Sequence, residues 1–594
     1  MRRATLQQFD SHDGTSIAYH YWPGKSPNGK ALVLFHRGHE HGARLQHIVD
    51  ELNLPDFDVF AWDARGHGVN SGRRGHAPDF GYFIRDAQAF HEHLLMTYSI
   101  AAEDMVIIAQ SVGAVIASAW VHDYAPRIRA MVLASPAFSV NLYVPGAVGG
   151  LKALQAIRGD FSINSYVKSK LLTHDQARQK SYDADPLISR AIAVNILLEL
   201  YDAADRVVTD AGAINVPTLL LVSGKDYVVR KAPQHEFFQN LGTSDKAMIE
   251  LEGFYHDTLG EKEREKAFVP IREFIRTRFV QPTWRADALR NGHLQGMTHD
   301  EFKRLGKPLP STSIKALAFI AMRAMLAGPG KALSNGIRIG MQTGFDSGSM
   351  LDCVYRNTPD GTGPIGRAID RQYLNAIGWR GIRVRRRNLT QMLAKAIACV
   401  SRNGMPVRVL DIAAGHGRYV LDALTDAGLT GRDTGASALL RDYSDVNVMA
   451  GRMLINAMNL QHRVSFEKGD AFDGADLAAL RPRPTISIVS GLYELFPDND
   501  KVCASLAGLS EAMEPGACLL YTGQPWHPQL EFIARVLSSH QGGADWIMRR
   551  RTQLEMDELV RQAGFTKITA VADQWGIFTV SLAIKNAPSL LHGG

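Results

Sequence analysis

Residues 105–115 read MVIIAQSVGAV, and this stretch decides the fold of the first half of the chain. Its first five residues are apolar and mostly β-branched, which is typical of a strand buried on both faces. Ser111 stands in a turn of small residues, and a helical pattern follows. A buried strand, a tight turn and a helix in this order predict one unit of a parallel α/β sheet.

The same alternation of short strands and helices extends to about Phe279 and predicts a largely parallel sheet covered by helices. Further buried strands are expected at Ala31–Phe35, Val59–Trp62, Ala130–Ala134 and Thr218–Ser223. Between residues 135 and 217 the strands stop, and the helices and loops inserted there are expected to form a cap. Reactive groups in such sheets lie at the carboxyl ends of the strands.

The turn at Ser111 matches the nucleophile elbow G-x-S-x-G, with Ala109 in place of the first glycine. Small residues at positions 109 and 113 let the strand and the helix pack closely on either side of the serine. Such a pentapeptide also arises by chance, and Ser111 would then only begin a helix. The partners that a nucleophilic serine needs decide between these two interpretations.

Asp226 and His256 follow Ser111 in the chain order that this fold uses. Asp226 stands in the loop after a predicted buried strand, and His256 follows the strand predicted at Ala247–Leu251. His235 also follows Asp226, but it falls within a predicted helix. A serine hydroxyl becomes a strong nucleophile when a neutral imidazole takes its proton and a buried carboxylate orients that imidazole. We therefore predict a catalytic triad of Ser111, Asp226 and His256.

Two further motifs resemble those of the monoacylglycerol lipase and lysophospholipase group, the serine-aminopeptidase-like hydrolases. HRGHEH at residues 36–41 is similar to the H-G-x-G-E-H loop of that group, and DARGHG at residues 63–68 is similar to its D-x-R-G-H-G turn. The resemblance implies an α/β-hydrolase fold with a helical cap and an ester substrate of the acylglycerol or lysophospholipid type. It also implies an oxyanion hole formed by the backbone N–H groups of Gly38 and Val112.

The loop at residues 36–41 leaves two questions open. Arg37 stands where the group commonly has glycine, and its guanidinium either binds a phosphate or carboxylate of the substrate or points to solvent. His36, His39 and His41 could hold a metal ion, but the resemblance accounts for them without one. No metal is therefore predicted.

A second alternation of strands and helices begins with a strand that ends in DIAAGHGRY, residues 411–419. Small residues in such a turn let a ligand approach the backbone at the N-terminus of the following helix. An acidic residue followed by G-x-G-x-G resembles the class I methyltransferase motif, here with an alanine in place of the first glycine. The resemblance implies a Rossmann-like domain that binds S-adenosylmethionine. Its predicted contacts are Asp411, Ala413, Gly415 and Gly417.

Two more acidic residues follow later strands in the order of that family. Asp442 ends the next strand and is expected at the ribose hydroxyls, and Asp470 stands in a G-D-A turn that is expected at the adenine amino group. Either residue alone would more often be a cap or turn residue, but three acids after three successive strands favour a cofactor site. A pocket for the methyl acceptor, or else local packing, is expected at Tyr493, Glu494, Trp526 and His527.

The chain resembles, over most of its length, a bacterial group of fusions between a hydrolase and a methyltransferase. MQTGFDSG at residues 341–348 and DRQYLN at residues 370–375 carry this resemblance. At 594 residues, the chain exceeds the roughly 250–300 residues that one core fills. We predict a hydrolase domain at 1–280 with its cap at about 136–216, a linker at 281–310, a helical approach segment at 311–398 and a methyltransferase domain at 399–594.

Composition and charge limit the partners and the cellular compartment that can be expected for the protein. Hydrophobic residues make up 45% and charged residues 21% of the chain, which is typical of globular protein, and a net charge of +6 permits an anionic partner without requiring one. The first residues lack the apolar core of a secretory signal, so export is not expected. The most apolar stretch, Ile314 to Leu326, is shorter than the roughly 20 residues that span a bilayer. The four cysteines show no metal-binding spacing. We expect a cytoplasmic protein.

A basic run could bring the protein to the inner face of an anionic membrane, together with the apolar helix expected at residues 313–327. The run could instead bind RNA, although such runs are more often solvated surface. Its arginines are Arg383, Arg385, Arg386 and Arg387. No Asn/Asp-Pro-Pro-Tyr/Phe tetrapeptide follows the fourth strand, so methylation of adenine bases is not supported, and a nucleic-acid partner is not expected.

These patterns favour a bifunctional enzyme that hydrolyses a lipid-like ester and transfers a methyl group from S-adenosylmethionine. One alternative is an active hydrolase whose C-terminal domain only binds the cofactor or docks lipid. A second alternative is an RNA methyltransferase with a degenerate hydrolase domain. The sequence leaves both the acyl substrate and the methyl acceptor undetermined.

Overall fold

The computed structural model describes residues 2–26, 28–142, 146–425 and 435–587. The chain divides into two compact units, Met1–Arg285 and Ala286–Gly594. The predicted cap includes residues 143–145, which lie outside the described residues. The same holds for residues 426–434 and 588–594 of the predicted methyltransferase domain.

The first unit contains an eight-stranded sheet in the order β1-β2-β4-β3-β5-β6-β9-β10. β2 pairs antiparallel with β1 and with β4, and the other neighbours pair in parallel. β7 and β8 form a separate antiparallel pair in the cap. The strands are β1 (Thr5–Asp10), β2 (Ser16–Trp22), β3 (Ala31–Phe35), β4 (Asp58–Trp62), β5 (Met105–Gln110), β6 (Ala130–Ala134), β7 (Ser162–Asn164), β8 (Ala191–Ala193), β9 (Thr218–Ser223) and β10 (Lys246–Leu251).

Helices cover this sheet. They are α1 (Gln46–Glu51), α2 (Gly81–Tyr98), α3 (Val112–Tyr124), α4 (Ala147–Arg158), α5 (Gln176–Ala184), α6 (Val194–Thr209), α7 (Ala232–Asn240) and α8 (Glu265–Val280). Every residue of β3, β5 and β6 is buried, because parallel strands between two helical layers have no solvated face. The predicted α/β-hydrolase fold is therefore confirmed, and α4, α5 and α6 lie in the predicted cap.

The second unit contains a seven-stranded sheet in the order β13-β12-β11-β14-β15-β17-β16. Its first five strands pair in parallel, and β17 pairs antiparallel with β15 and with β16. The strands are β11 (Arg408–Asp411), β12 (Ser437–Asp442), β13 (Val464–Lys468), β14 (Ile486–Val489), β15 (Cys518–Gly523), β16 (Phe565–Ala572) and β17 (Thr579–Lys585). The strand order reverses between β11 and β14, and ligands of open α/β sheets bind at such a point.

Helices flank this second sheet and also precede it in the chain. They are α9 (Met297–Gly306), α10 (Ile314–Met325), α11 (Lys331–Leu333), α12 (Asn335–Thr343), α13 (Gly348–Arg356), α14 (Gly363–Leu374), α15 (Ile377–Arg402), α16 (Arg418–Thr425), α17 (Asp445–Ala457), α18 (Gly474–Ala478), α19 (Asn499–Ala512), α20 (Leu530–Val536) and α21 (Gln553–Gln562). The long helix α15 buries Leu389, Leu393 and Val400 in the core below the sheet. The predicted Rossmann-like fold is confirmed.

The predicted linker at 281–310 is mostly a folded part of the second unit. α9 lies within that range, and its Leu305 is buried in one cluster with Ile533 and Met548. Glu301 of the same helix accepts a hydrogen bond from Arg550 Nε at 2.5 Å. The polar composition of the segment hid this packing, because its few apolar residues meet partners more than 200 positions further along the chain.

One described helical stretch, Ile314–Leu333, is long and apolar enough to cross a bilayer by length and composition. From the sequence alone, this apolar stretch was expected to end at Leu326 and to be too short to span a bilayer. Leu326–Gly330 instead continues α10 as a π-helical segment that leads into α11, so the stretch reaches 20 residues. Only 17% of its most apolar window is buried in the protein. Most of this apolar surface therefore lies outside the core.

Candidate active sites

The turn between β5 and α3 holds Ser111 in a strained conformation. Its φ of 55° lies in the left-handed region, which costs a non-glycine residue roughly 1–3 kcal/mol. The backbone N–H of Ser111 donates to Ala134 O at 3.0 Å, and its carbonyl accepts from Ala114 N at 3.1 Å. A Cβ at Gly113 would collide with the carbonyl oxygens of Phe35 and His36. Close packing against the backbone is therefore the reason why a small residue is required at position 113.

The three predicted triad residues come together in one hydrogen-bonded chain. His256 Nε2 lies 2.7 Å from Ser111 Oγ, and His256 Nδ1 lies 2.8 Å from Asp226 Oδ2. Asp226 Oδ1 accepts backbone N–H bonds from Val228 and Val229 at 2.7 and 3.0 Å. With the Nδ1 proton donated to Asp226, Nε2 is the acceptor that a serine hydroxyl requires. The arrangement can activate Ser111 as a nucleophile.

The alternative base, His235, is engaged elsewhere. Its Nε2 lies 3.5 Å from Glu250 Oε2 on the neighbouring strand β10. A histidine in α7 therefore does not replace His256 in this chain of hydrogen bonds.

The predicted oxyanion residues Gly38 and Val112 lie side by side. A Cβ built on Gly38 would stand 3.2 Å from Val112 Cγ2. Both residues line a cavity of about 70 Å³, whose other walls include side chains of the cap. The apolar residues among those walls are Trp62, Phe83, Ile116, Ile192, Ile196 and Leu200. A small apolar space next to the elbow suits the start of an acyl chain.

Arg37 neither points to solvent nor is available to a substrate. Its side chain is 4% exposed, and Nε lies 3.1 Å from Glu40 Oε2 and 3.8 Å from Asp257 Oδ1. Its guanidinium also lies 4.9 Å from the centre of the Tyr182 ring. Both expectations for Arg37 are wrong, because Glu40 and Asp257 satisfy its charge inside the protein.

Asp257 joins this buried charge network to the catalytic loop. Burial opposes its ionisation, yet Arg178 and Arg37 outweigh that cost and lower the pKa of Asp257. Gln110 Nε2 donates to Asp257 Oδ1 at 3.2 Å and to the carbonyl of His256 at 3.1 Å. Sequence reasoning missed these positioning residues. The adjacency of Asp257 to His256 was the only signal for them.

The histidines of the 36–41 loop are bound within the protein. His36 Nε2 accepts from Ala64 N at 2.9 Å, and His41 Nε2 lies 3.1 Å from Asp185 Oδ2. Burial lowers the pKa of His36 and of His39 to about 4, so both are neutral at physiological pH. Their role is to hold the loop that carries Gly38.

In the second unit, a cavity of about 890 Å³ lies at the carboxyl ends of the parallel strands. Most of the residues predicted to bind S-adenosylmethionine line it, namely Ala413, Gly415, Gly417, Asp442 and Asp470. The volume falls within the roughly 300–1,000 Å³ that small-ligand sites have. The predicted turn, ribose and adenine positions thus share one space.

Asp442 organises the turn that opens this cavity. Its Oδ2 accepts from Gly415 N at 2.9 Å, and its Oδ1 accepts from Ser444 N and Asn447 Nδ2 at 2.9 and 3.0 Å. Gly415 has a φ of 58°, which favours glycine. Asp470 Oδ1 accepts from Phe472 N at 2.9 Å in the same way.

Asp411 was predicted to contact the cofactor, but it is not among the described residues that line the cavity. It is fully buried behind the turn, where its Oδ1 accepts from Ala413 N at 3.2 Å and its Oδ2 accepts from the Tyr419 hydroxyl. Burial raises the pKa of Asp411 to about 7. The residue supports the turn from behind.

The sequence predicted no role for residues 346–348, although they belong to one of the two motifs that resemble the fusion group. Asp346, Ser347 and Gly348 line the large cavity at the beginning of α13. The Cα of Gly348 would lie 3.6 Å from a Cβ on Gly415. The helical approach segment thus forms one wall of this large cavity.

Of the four predicted acceptor residues, Glu494 and His527 line a second space of about 200 Å³. The Tyr493 hydroxyl instead donates to Ser505 Oγ at 2.9 Å in the core, and Trp526 packs in the apolar cluster around that space. For these two residues the packing alternative is the correct one.

The four arginines of the basic run differ in their exposure and in their partners. Arg385 is buried and ion-pairs with Glu494, with Nη1 3.2 Å from Oε1. Arg383 Nη1 donates to Leu374 O at 2.8 Å, and Arg386 ion-pairs with Asp422. Arg387 is exposed. Arg385 is therefore not available to a membrane, whereas the expected contact through the other three arginines stays a prediction.

Comparison with known proteins separates the two units. A family model described as "Putative methyltransferase" matches residues 271–585, and one described as "Serine aminopeptidase, S33" matches residues 26–263. A protein of Escherichia coli (strain K12), "Uncharacterized protein YnbC", is 51% identical over 579 residues and covers 97% of this chain and 98% of its own length.

Two relatives with named activities cover less than half of this chain. Phospholipase YtpA of Bacillus subtilis is 25% identical over 257 residues, which are 43% of this chain and 98% of that protein. Monoglyceride lipase of Rattus norvegicus is 27% identical over 256 residues, which are 41% of this chain and 80% of that protein.

Proposed function

The chain belongs to the family described as "Putative methyltransferase" and carries a hydrolase unit before it, and we propose that it is a bifunctional enzyme. The first unit hydrolyses an ester of the acylglycerol or lysophospholipid type through a serine nucleophile. The second unit transfers a methyl group from S-adenosylmethionine to a separate acceptor. The hydrogen-bonded chain of Ser111, His256 and Asp226 is the observation that carries the first activity.

Hydrolysis would proceed through an acyl-serine. Ser111 Oγ attacks the ester carbonyl while its proton passes to His256 Nε2, and Asp226 stabilises the resulting imidazolium. The backbone N–H groups of Gly38 and Val112 stabilise the negative oxygen. His256 then protonates the departing alcohol, and a water molecule releases the acid by the same steps. The named relatives support a lipid ester as substrate.

A fluorophosphonate probe tests the first activity. We expect the wild-type protein to be labelled and Ser111→Ala to remain unlabelled, because only an activated serine reacts. Ser118→Ala is the matched control, since Ser118 is buried in α3 and donates to Ala114 O at 2.7 Å. Equal labelling of wild type and Ser111→Ala would disprove the serine mechanism.

The large cavity of the second unit fits a nucleoside-like cofactor. Asp442 and Asp470 stand at two strand ends on the cavity wall, and Gly415 leaves room where a side chain would otherwise approach. These residues would hold the ribose, the adenine and the amino-acid part. S-Adenosylmethionine would supply an electrophilic methyl group on a positively charged sulfur. The protein contributes positioning and the exclusion of water.

Calorimetry with S-adenosylhomocysteine tests this site without requiring turnover. We expect Asp442→Asn to weaken binding by about tenfold, because a neutral amide replaces a charged hydrogen-bond acceptor. Asp445→Asn is the control, since its side chain is exposed and pairs only with Lys468 among the described residues. Absence of binding to the wild-type protein would disprove the cofactor assignment.

Transfer of tritium from labelled S-adenosylmethionine separates the alternatives for the second unit. We expect label in a lipid extract of cells. Label in RNA would favour the RNA methyltransferase, and cofactor binding without transfer to either fraction would favour a non-catalytic domain.

We further propose that the protein is cytoplasmic and works at the inner membrane surface through α10. Ile314, Leu317, Ile320 and Met325 of this helix are all more than half exposed. An apolar helix face of this kind can lie in the boundary between headgroups and acyl chains.

Co-sedimentation with vesicles of phosphatidylethanolamine and phosphatidylglycerol tests this placement. We expect Leu317→Glu with Ile320→Glu to lose binding, whereas Met96→Glu, at an exposed position of the first unit, retains it. Protein that resists extraction by alkaline carbonate would instead indicate a helix that spans the bilayer.

A further inference from the structure

The small cavity beside the cofactor cavity has the composition of a binding site. Its volume is about 200 Å³, and it shares Arg385, Gly491 and Leu495 with the larger cavity. A molecule inside it would therefore stand next to whatever fills the cofactor site. We call this space the acceptor chamber.

The walls of the acceptor chamber are mainly apolar. Aromatic and aliphatic side chains from α15, α20 and the loops after β15 surround it, among them Trp379, Ile382, Phe532, Ile533, Trp546 and Phe578. Leu326, directly after the exposed helix α10, also lines it. Such a lining favours a hydrocarbon ligand over a sugar, a nucleotide or an amino acid.

Three hydrogen-bond donors of the chamber have no partner within the described part of the chain. They are Arg385 Nε, Gln524 Nε2 and Trp546 Nε1, and all three residues line the chamber. Arg385 and Gln524 are both more than nine-tenths buried. A buried donor without an acceptor costs about 1–3 kcal/mol, so this cluster indicates a ligand oxygen that accepts from it.

His527 supplies a further donor at the wall of the chamber. Its Nδ1 accepts from Gln529 N at 3.0 Å, and burial lowers the pKa of His527 to about 4. The ring is therefore neutral and carries its proton on Nε2. His527 also lines the chamber, so it can donate to a ligand without introducing a charge.

Glu494 is the complementary acceptor. Its carboxylate is paired with Arg385 at 3.2 Å. Asp346 also lines the chamber, so a ligand carboxylate would stand near two acidic side chains and one arginine. A hydroxyl could both accept from the donors and donate to Glu494. The polar end of the ligand should therefore be uncharged.

We propose that the acceptor chamber binds the hydroxyl-bearing end of a long-chain, lipid-like molecule and presents that hydroxyl for O-methylation. This inference rests on the proposed methyltransferase function. The chamber is smaller than the roughly 300–1,000 Å³ of sites that enclose a whole ligand, so it holds only the reacting end of the chain.

The proton balance of this reaction gives Glu494 a role. The hydroxyl oxygen forms the new C–O bond with a lone pair, the S–CH₃ bond of the donor breaks with its electron pair left on sulfur, and the hydroxyl proton must leave. Burial raises the pKa of Glu494, although Arg385 opposes this effect. A carboxylate with a raised pKa is a better acceptor for that proton.

Isothermal titration calorimetry of the full-length protein tests the ligand class. The probes are 1-decanol, decyl methyl ether and decanoate, with S-adenosylhomocysteine present. We expect 1-decanol to bind most tightly, since the ether cannot donate to Glu494 and decanoate faces a like charge. Equal affinity for the three probes would overturn the proposal.

Substitution of one tryptophan at a time locates the binding site. We expect Trp546→Phe to weaken binding of 1-decanol by roughly 3- to 10-fold, because one hydrogen bond is lost. Trp575→Phe is the matched control, since Trp575 packs in the same apolar cluster but contacts Arg380 instead of the chamber. Indistinguishable effects of the two substitutions would place the ligand elsewhere.

Calorimetry with S-adenosylhomocysteine on the same variants keeps the two proposals separate. We expect both tryptophan variants to bind it as the wild type does. Binding of S-adenosylhomocysteine with no discrimination among the decyl probes would refute the chamber assignment alone. Failure of the wild type to bind S-adenosylhomocysteine would refute the methyltransferase function itself.

Discussion

The two candidate sites differ in where their polar groups find partners. In the first unit, Ser111, His256 and Asp226 satisfy one another before any substrate arrives. In the second unit, Asp442 and Asp470 bind backbone N–H groups at the edge of a large cavity, and several donors of the acceptor chamber stay unpartnered in the described structure. One site is preassembled for chemistry, and the other is assembled to receive ligands.

The largest expected effect concerns the buried ion pair of the second site. Arg385→Gln leaves Glu494 buried without its charged partner, which should destabilise the second unit by about 3–5 kcal/mol. Urea unfolding followed by circular dichroism measures this loss.

Arg387→Gln on the same helix is the control, because Arg387 is exposed and such surface changes stay within about 0.5 kcal/mol. Equal stability of the two variants would mean that the ion pair of Arg385 and Glu494 does not contribute to folding. The second site would then tolerate the loss of a buried charge as an exposed position does.

A pair of glycine substitutions probes the difference in rigidity. Gly113→Ala places a Cβ against the carbonyls of Phe35 and His36, which displaces the elbow, and we expect hydrolysis of a nitrophenyl ester to fall by at least about 100-fold. In Gly415→Ala, the new Cβ would contact only the Cα of Gly348, at 3.6 Å, although the backbone at position 415 has a positive φ. It should cost about 1 kcal/mol and leave hydrolysis unchanged.

Full esterase activity of Gly113→Ala would contradict the expected difference in rigidity between the two sites. The elbow would then be less tightly packed than the contacts at Gly113 indicate. Thermal unfolding of both variants distinguishes a displaced site from an unfolded domain.

The last expected effect is a pH dependence of stability from Asp411. Burial raises the pKa of Asp411 to about 7 in the folded protein, against about 3.9 in an unfolded chain. Between these values the unfolded chain has lost the proton that the folded protein keeps. The free energy of unfolding should therefore fall as pH rises from about 4 to 7, by at most about 1.4 kcal/mol per pH unit.

Asp411→Asn should flatten this slope, because an amide stays neutral while it can still accept from Ala413 and donate to Tyr419. Asp445→Asn, at an exposed position, should leave the slope unchanged. Urea unfolding at a series of pH values measures both, and parallel slopes for wild type and Asp411→Asn would show that Asp411 is ionised throughout.

The elements that sequence patterns predicted well are those with short-range causes. The elbow at Ser111 and the turn at residues 411–417 each follow from a strand, a run of small residues and a helix within about fifteen positions. The order in which Asp226 and His256 follow Ser111 is likewise visible in the chain.

Predictions based on residue type alone were less successful. Arg37 and Arg385 were expected at a substrate or a membrane because charge is usually exposed, yet both are buried beside carboxylates. Asp411 was expected at the cofactor because it ends a strand, but the turn after it covers the side chain. Tyr493 and Trp526 followed the right strands and still point into cores.

The amino-acid sequence by itself predicted the parallel strands of the two sheets, the turns that follow them and the chain order of the triad residues, because periodicity and small-residue turns act over a few positions. It did not predict the antiparallel strands β1, β2, β16 and β17. Only the tertiary structure decided which charges are buried, which predicted acceptor residues face a cavity and that an apolar chamber adjoins the cofactor site. The reason is physical: burial depends on partners such as Arg385 and Glu494, which stand 109 positions apart in the chain and meet only when the sheet and α15 pack together.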